Sequence, residues 1–164
     1  MHQRVWVIGA SSGIGEACAQ ELLKRGAKLV LSSRRIDRLE DIARSADATQ
    51  SLVIPVDVMD QSSITRAYQT IHAQWGGIDL LLFVSGIYIP LRADDFNMQD
   101  AQKTVDSNIL GPMRAVATVL PDMLRAGHGH LAIVGSVAGY SGLPKALAYG
   151  PTKAAMINFC ETLF

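Results

Sequence analysis

The sequence has little of what marks a protein built for oxidising surroundings, for a membrane or for nucleic acid. It holds two cysteines, Cys18 and Cys160, far apart and without metal-ligand spacing. They read as reduced thiols, which argues against a disulfide framework and for a cytoplasmic location. Neither sign of charge prevails: fifteen basic residues face fifteen acidic ones, for a formal net charge of zero. No general affinity for nucleic acid or an anionic membrane surface is therefore expected. No apolar run nears the length that spans a bilayer, and no basic segment leads into an apolar one as in a secretory leader. His2, His72, His128 and His130 lack metal-site spacing, so no metal is expected. Internal repeats, low-complexity tracts and linkers are also missing.

What is present is a chain of 164 residues, 49% hydrophobic, enough for one buried core and too short for two. A single domain over residues 1–164 is the expectation. Short apolar runs alternate with amphipathic segments throughout. Strands are predicted at Arg4–Ile8, Lys28–Ser32, Leu52–Val56, Asp79–Val84 and Leu131–Val134. The fourth, DLLLFV, shows no polar alternation, as befits a strand buried on both faces. Helical spacing covers Gly13–Arg25, with Ile14, Cys18 and Leu22 on one face, and Ile36–Ala46, with Ile36, Leu39, Ile42 and Ala43. Asp60 is a good N-cap for Gln61–Trp75, whose apolar stripe is Ile64, Ala67, Tyr68, Ile71 and Trp75. A long helical stretch runs from Met98 to Arg125, His128-Gly129-His130 reads as a turn, and a last helix begins near Tyr149. Regular strand–helix alternation implies an α/β fold, a parallel sheet with helices on both faces.

Gly9-Ala10-Ser11-Ser12-Gly13-Ile14-Gly15 lies between the first strand and the first helix. Glycine there lets the backbone turn sharply and a pyrophosphate approach, where free N–H groups and the positive helix end meet its charge. The second strand ends at Ser32-Ser33-Arg34-Arg35, with no acid before Asp37. A carboxylate would receive a ribose 2′-hydroxyl, as in NAD-preferring enzymes, whereas guanidinium groups bind a 2′-phosphate. NADP(H) is therefore preferred over NAD(H). Tyr149 and Lys153 stand four residues apart at a helix start, on one face, and Ser136 lies thirteen residues before Tyr149, just past a strand end. In an open α/β sheet, ligands bind beyond the carboxyl ends of the strands.

The G-x-x-x-G-x-G turn, Ser136 with Tyr149 and Lys153, and Asn108 within Asp106-Ser107-Asn108-Ile109-Leu110-Gly111 resemble the short-chain dehydrogenase/reductase family over the whole chain. The resemblance implies a Rossmann-type, doubly wound three-layer α/β/α fold with strand order 3-2-1-4-5. It implies an NADP(H)-dependent oxidoreductase acting on a small-molecule carbonyl or alcohol. The cofactor would be held by Gly9, Ser11, Ser12, Gly13, Ile14 and Gly15, and at its 2′-phosphate by Arg34 with Ser33 and Arg35 assisting. Asp57 and Val58 would meet the adenine, although Asp57 also reads as an ordinary turn or capping aspartate. Ser85 and Gly86 would make backbone contact, and Asn108, Tyr149 and Lys153 would complete the cofactor set.

Catalysis would fall to Asn108, Ser136, Tyr149 and Lys153. A free tyrosine, with a pKa of roughly 10, holds its proton too tightly for efficient two-way transfer at neutral pH. A nearby ammonium and an oxidised nicotinamide both favour the phenolate. Tyr149 is then the general acid/base, Lys153 tunes it and bonds the nicotinamide ribose, and Ser136 bonds the substrate oxygen. Pro112 removes the helical partner of the Asn108 carbonyl, which frees it for a water-linked relay to the lysine and should bend the helix.

Two departures stand out. Ile8 replaces the family's usual Thr, and Phe83-Val84-Ser85-Gly86 replaces its Asn-Asn-Ala-Gly. Family members also continue beyond Phe164 with substrate-covering segments. A homo-oligomer through the helices over 98–125 and 149–164 is expected, as is the alternative that the chain is a non-catalytic nucleotide-binding module or an inactive fragment.

Overall fold

The structure, a computed structural model, describes residues 3–44, 47 and 49–163. Its strands are β1 (Arg4–Ile8), β2 (Lys28–Ser32), β3 (Ser51–Val53), β4 (Leu80–Phe83) and β5 (His130–Ile133). All pair in parallel, in the order β3-β2-β1-β4-β5. The helices are α1 (Gly13–Lys24), α2 (Ile36–Ala43), α3 (Gln61–Trp75), α4 (Met98–Val105), α5 (Gly111–Ala126) and α6 (Tyr149–Glu161). The order changes direction between β1 and β4, which is where a doubly wound sheet opens its cleft.

Alternation along each strand sends side chains to two separate cores. Val5 and Val7 of β1, with Leu29 and Leu31 of β2, pack under α1 and α2 against Ala19, Leu23, Leu39 and Ile42. Trp6 and Ile8, with Val30, Leu81 and Phe83, pack on the other face against α3 and α5 through Ile64, Ile71, Val116 and Val119. Fully burying a Leu, Val or Phe side chain stabilises by about 1.5–3 kcal/mol, so the central strands anchor both layers. Leu80 and Leu82 face the first core and Leu81 and Phe83 the second, which explains the unbroken apolar run of β4. The N-cap of α3 is as expected, the Asp60 side chain accepting from the Ser62 N–H.

Four expectations change. The inward line of α1 is Gly15, Ala19 and Leu23, one residue along from Ile14, Cys18 and Leu22, and Ile14 is 60% exposed. Small residues win that face because the helix lies close over the glycine turn. The third strand stops at Val53, short of Val56, and Pro55 is tolerated just past its end because position 55 of this edge strand faces away from β2. The extended course continues all the same, with Ile54 N–H donating to Leu31 O and Val56 N–H to Ser33 O. His130 opens β5, opposite Leu80, and is not part of the turn. The second helix ends at Ala43; residues 45 and 46 of the helix expected over 36–46 lie outside the described residues.

The long helix over 98–125 is the fourth change. It is split by a π-turn at Asp106–Leu110 between α4 and α5. Pro112 cannot donate to Asn108 and its ring crowds the turn before it. The backbone widens by one residue, and Gly111 N–H reaches Asp106 O five residues back. The expected disturbance is thus present, in the form of a π-turn centred on Asn108.

Candidate active site

The cleft lies beyond the carboxyl ends of the strands. At its floor Gly9 N–H donates to Ser32 O at 2.7 Å and Ala10 N–H to the same oxygen at 3.2 Å, tying the glycine turn to the end of β2. Gly9 has φ of 97°, and a Cβ on Gly15 would stand 2.1 Å from Gly9 O. Glycine is required there by conformation at one position and by contact at the other. The departure at Ile8 and Val84 is accommodated through the backbone: Val84 N–H and Ser85 N–H both donate to Ile8 O, at 2.8 and 3.0 Å. Ile8 itself is 1% exposed, and the apolar pair leaves no polar side chain stranded.

One cleft of about 880 Å³ runs from this turn to the start of α6. Its walls include Gly9, Ser11, Ser12, Ile14, Ser33, Arg34, Arg35, Asp57, Val58, Ser85, Gly86, Ser136, Tyr149 and Lys153. Each of these is a site residue expected from the sequence, and they come from six separate stretches of chain. Gly13, Gly15 and Asn108 are not among these walls: Gly13 is exposed at the turn, whereas Gly15 and Asn108 are buried. Cations outnumber acids along the lining: Arg34, Arg35, Lys103 and Lys153 face the single carboxylate of Asp57. Volume, charge and the bare glycine turn fit a phosphate-bearing dinucleotide.

The two arginines differ. Arg35 reaches across to the turn, its Nε and Nη2 bonding Ser11 Oγ at 3.3 and 3.2 Å and its Nη2 bonding Ser11 O at 3.2 Å. Ser33 Oγ accepts from Arg35 N–H at 3.0 Å, which sets the start of α2. Arg34 is exposed and makes no hydrogen bond or ion pair among the described residues, so its guanidinium remains available at the rim. Asp57 Oδ1 accepts from Met59 N–H at 2.9 Å, the turn role that its sequence position also allowed.

At the other end, Lys153 is 7% exposed and its Nζ donates to Val134 O at 2.9 Å, just beyond β5. The same Nζ lies 5.7 Å from the centroid of the Tyr149 ring. Burial pushes the lysine below its ordinary pKa. Ser136 Oγ accepts from Ala138 N–H at 3.2 Å, capping the short 3-10 turn Val137–Gly139 and keeping its own hydrogen to donate. Asn108, 2% exposed, spends its side chain on Ile87 and on Thr152 Oγ1, the last at 3.3 Å. Thr152 in turn donates to Tyr149 O at 2.7 Å, so the π-turn is linked to the start of α6.

The cleft also contains residues that the sequence did not single out. Tyr88 meets the Tyr149 ring edge to face, with centroids 5.2 Å apart, and its hydroxyl donates to Lys145 O at 3.3 Å. Lys103 and Ser107 line the wall from the helix that carries Asn108. Their four-residue spacing was a readable signal; the position of Tyr88 depends on a segment without periodicity.

A family model described as short chain dehydrogenase matches residues 3–164. The chain belongs to the short-chain dehydrogenase family. Among curated relatives, an uncharacterized oxidoreductase of Staphylococcus aureus is 31% identical over 157 residues, covering 96% of this chain and 68% of the relative. One from Staphylococcus epidermidis is 33% identical over the same shares. Among solved structures, the closed form of a serine dehydrogenase complexed with NADP+ superposes with a TM-score of 0.91 at 28% identity. It covers 98% of this chain, which spans 64% of that one. An alcohol dehydrogenase from the archaeon Thermococcus sibiricus, complexed with 5-hydroxy-NADP, gives 0.93 at 25% identity, with coverages of 99% and 70%. No helix among the described residues is long and apolar enough to cross a membrane.

Proposed function

We propose that the chain carries the cofactor-binding and catalytic groups of an NADP(H)-dependent oxidoreductase acting on a carbonyl or secondary alcohol. The observation that carries this reading is a single cleft that joins the glycine turn and Arg34 at one end to Ser136, Tyr149 and Lys153 at the other. NADP complexes among the structural neighbours support the choice of cofactor.

When bound, the nicotinamide supplies or takes up the hydride. The chain's own residues do the rest. Gly9, Ser11, Ser12, Gly13, Ile14 and Gly15 cradle the pyrophosphate, and Arg34, with Ser33 and Arg35, takes the 2′-phosphate. Asp57 and Val58 border the base, and Ser85 and Gly86 offer backbone contact. Ser136 donates to the substrate oxygen and holds it where charge develops. Tyr149 gives its phenolic proton to that oxygen in reduction and recovers it in oxidation. Lys153 presents a positive charge beside the phenol and a donor for the nicotinamide ribose, and Asn108 braces the wall behind them. Self-association through α4–α5 and α6 belongs to the same reading, and Leu124 on α5 is 71% exposed.

The test has two arms. Titration monitored by nicotinamide fluorescence should show tighter binding of NADPH than NADH, with the difference reduced about tenfold or more in Arg34→Ala, the scale of a lost charge-assisted pair. A carbonyl panel followed at the NADPH absorbance should show turnover that falls about 10²–10⁴-fold in Tyr149→Phe while NADPH binding persists. Tighter NADH binding would overturn the cofactor assignment, and undiminished turnover in the phenylalanine variant would overturn the role of Tyr149.

A further inference from the structure

Arg114 lies one turn into α5 and its guanidinium is half-buried, yet no carboxylate pairs with it among the described residues. Its Nη1 donates instead to two backbone carbonyls, Val58 O and Asp106 O, each at 3.3 Å. Val58 belongs to the turn after β3 that forms one wall of the cleft. Asp106 begins the π-turn that carries Ser107, which lines the same cleft, and Asn108.

The sheet itself does not join these two segments directly. In the order β3-β2-β1-β4-β5, two strands stand between β3 and β4, so the turns beyond them are joined through the helix layer, where α3 packs on α5 in a shared core and Gln61 Nε2 donates to Thr118 Oγ1 at 3.1 Å. Two further contacts join the turns themselves. A Cβ on Gly111 would come within 3.3 Å of Val58 Cβ and 3.4 Å of its Cγ2, so glycine lets the π-turn sit against the wall. Arg114, three residues on, then fastens both sides from the same helix. Hydrogen bonds with a charged donor are stronger than neutral ones, and a guanidinium has enough N–H groups to hold two acceptors at once.

We propose that Arg114 is a positioning residue that clamps together two segments lining the dinucleotide cleft, fixing the Val58 turn against the π-turn that holds Asn108. The clamp acts through backbone atoms, and Arg114 itself lines no part of the cleft. Its significance for the cofactor rests on the functional reading above; the mechanical claim does not. Opening the clamp lets the two segments separate, which weakens adenine-side contact and loosens Asn108 together.

The experiment compares Arg114→Met, which keeps the stem but loses the donors, with Arg114→Lys, which keeps a charged donor. Amide hydrogen exchange without any nucleotide should quicken in both segments, 57–59 and 105–110, in Arg114→Met. Dissociation constants for NADPH and for 2′,5′-ADP, which carries only the adenine end, should rise about 5–10-fold, a part of the full cost of one charged hydrogen bond. Arg114→Lys should recover most of the affinity. Unchanged exchange in either segment would overturn the clamp, and so would unchanged affinity for both ligands alongside a lowered Tm. Failure of the unaltered chain to bind any nicotinamide dinucleotide would instead sink the functional reading, and exchange would still decide the clamp.

Discussion

Asn108 holds the backbone of Ile87 from both sides, its Oδ1 accepting from the Ile87 N–H and its Nδ2 donating to the Ile87 carbonyl, each at 2.8 Å. One amide thus completes the hydrogen bonding of a residue that has just left β4 and lines the cleft. Asn108→Ala leaves two backbone groups without partners in a site where Asn108 was 2% exposed. A loss of about 2–6 kcal/mol is expected from two unsatisfied groups at 1–3 kcal/mol each. Urea unfolding measures it, and a change under 1 kcal/mol would show that water replaces the amide without cost. Asn108→Asp should recover the bond to the N–H and not the one to the carbonyl.

Gly15→Ala places a methyl group 2.1 Å from Gly9 O, against backbone that cannot turn aside. Overpacking of this kind costs about 1–3 kcal/mol and should distort the turn enough to weaken nucleotide binding. Gly142→Ala, which meets nothing within 4 Å, is the control and should be neutral. Equal behaviour of the two variants in thermal unfolding and NADPH titration would count against the close packing of α1 on the turn.

Lys153 gives a pH signature. Burial lowers its pKa from the ordinary 10.5, so between the lowered value and 10.5 the unfolded chain binds more protons than the folded one. Stability attributable to this group therefore climbs with rising pH through that window. Subtracting the pH dependence of Lys153→Met from that of the unaltered chain isolates the effect. A difference that is flat or falls toward pH 10 would mean that the ammonium is better solvated than its 7% exposure implies.

Asp79 gives a slope of the same sign in the acid range. Its side-chain hydrogen bond with Arg4 holds the carboxyl below its ordinary 3.8, helped by the Arg4 N–H and charge. Arg4 Nη2 lies 2.6 Å from Oδ1, while Nε and the backbone N–H meet Oδ2 at 3.1 and 2.8 Å. A carboxylate with a lowered pKa contributes stability that is present above 3.8 and lost as pH falls through the lowered value. Asp79→Asn should cost about 1.5–3 kcal/mol at pH 7, the range for hydrogen bonds to charged groups. The gap from the unaltered chain should close on acidification; a gap that persists into strong acid would argue that packing, not charge, is what the substitution disturbs.

Much of this architecture was legible in the residues because local and global signals agree. β1, β2 and α3 carry their boundaries in Arg4–Ile8, Lys28–Ser32 and the Asp60 cap, and the structure reproduces all three. The cleft was legible too, since glycine-rich and polar punctuation at strand ends marks where a doubly wound sheet leaves backbone groups free. What escaped has specific causes. Pro112 announced a disturbance, but whether a helix kinks or widens depends on what it packs against, here Val58 and Ile87. The face of α1 shifted by one residue because closeness to the turn favoured small side chains over Ile14. Tyr88 and Arg114 act across pairs of segments far apart in the chain, and no periodicity within either segment reports such a meeting.

The Arg4–Asp79 pair sits where β1 and β4 begin, whereas Gly9, Gly86 and Ser136 follow the points where strands end. Fastening and the proposed chemistry are therefore separated by the length of a strand. On that reading, substitutions that tighten or loosen the lower rim tune heat resistance without touching the cleft, and the upper rim is left to vary while its foundation stays put.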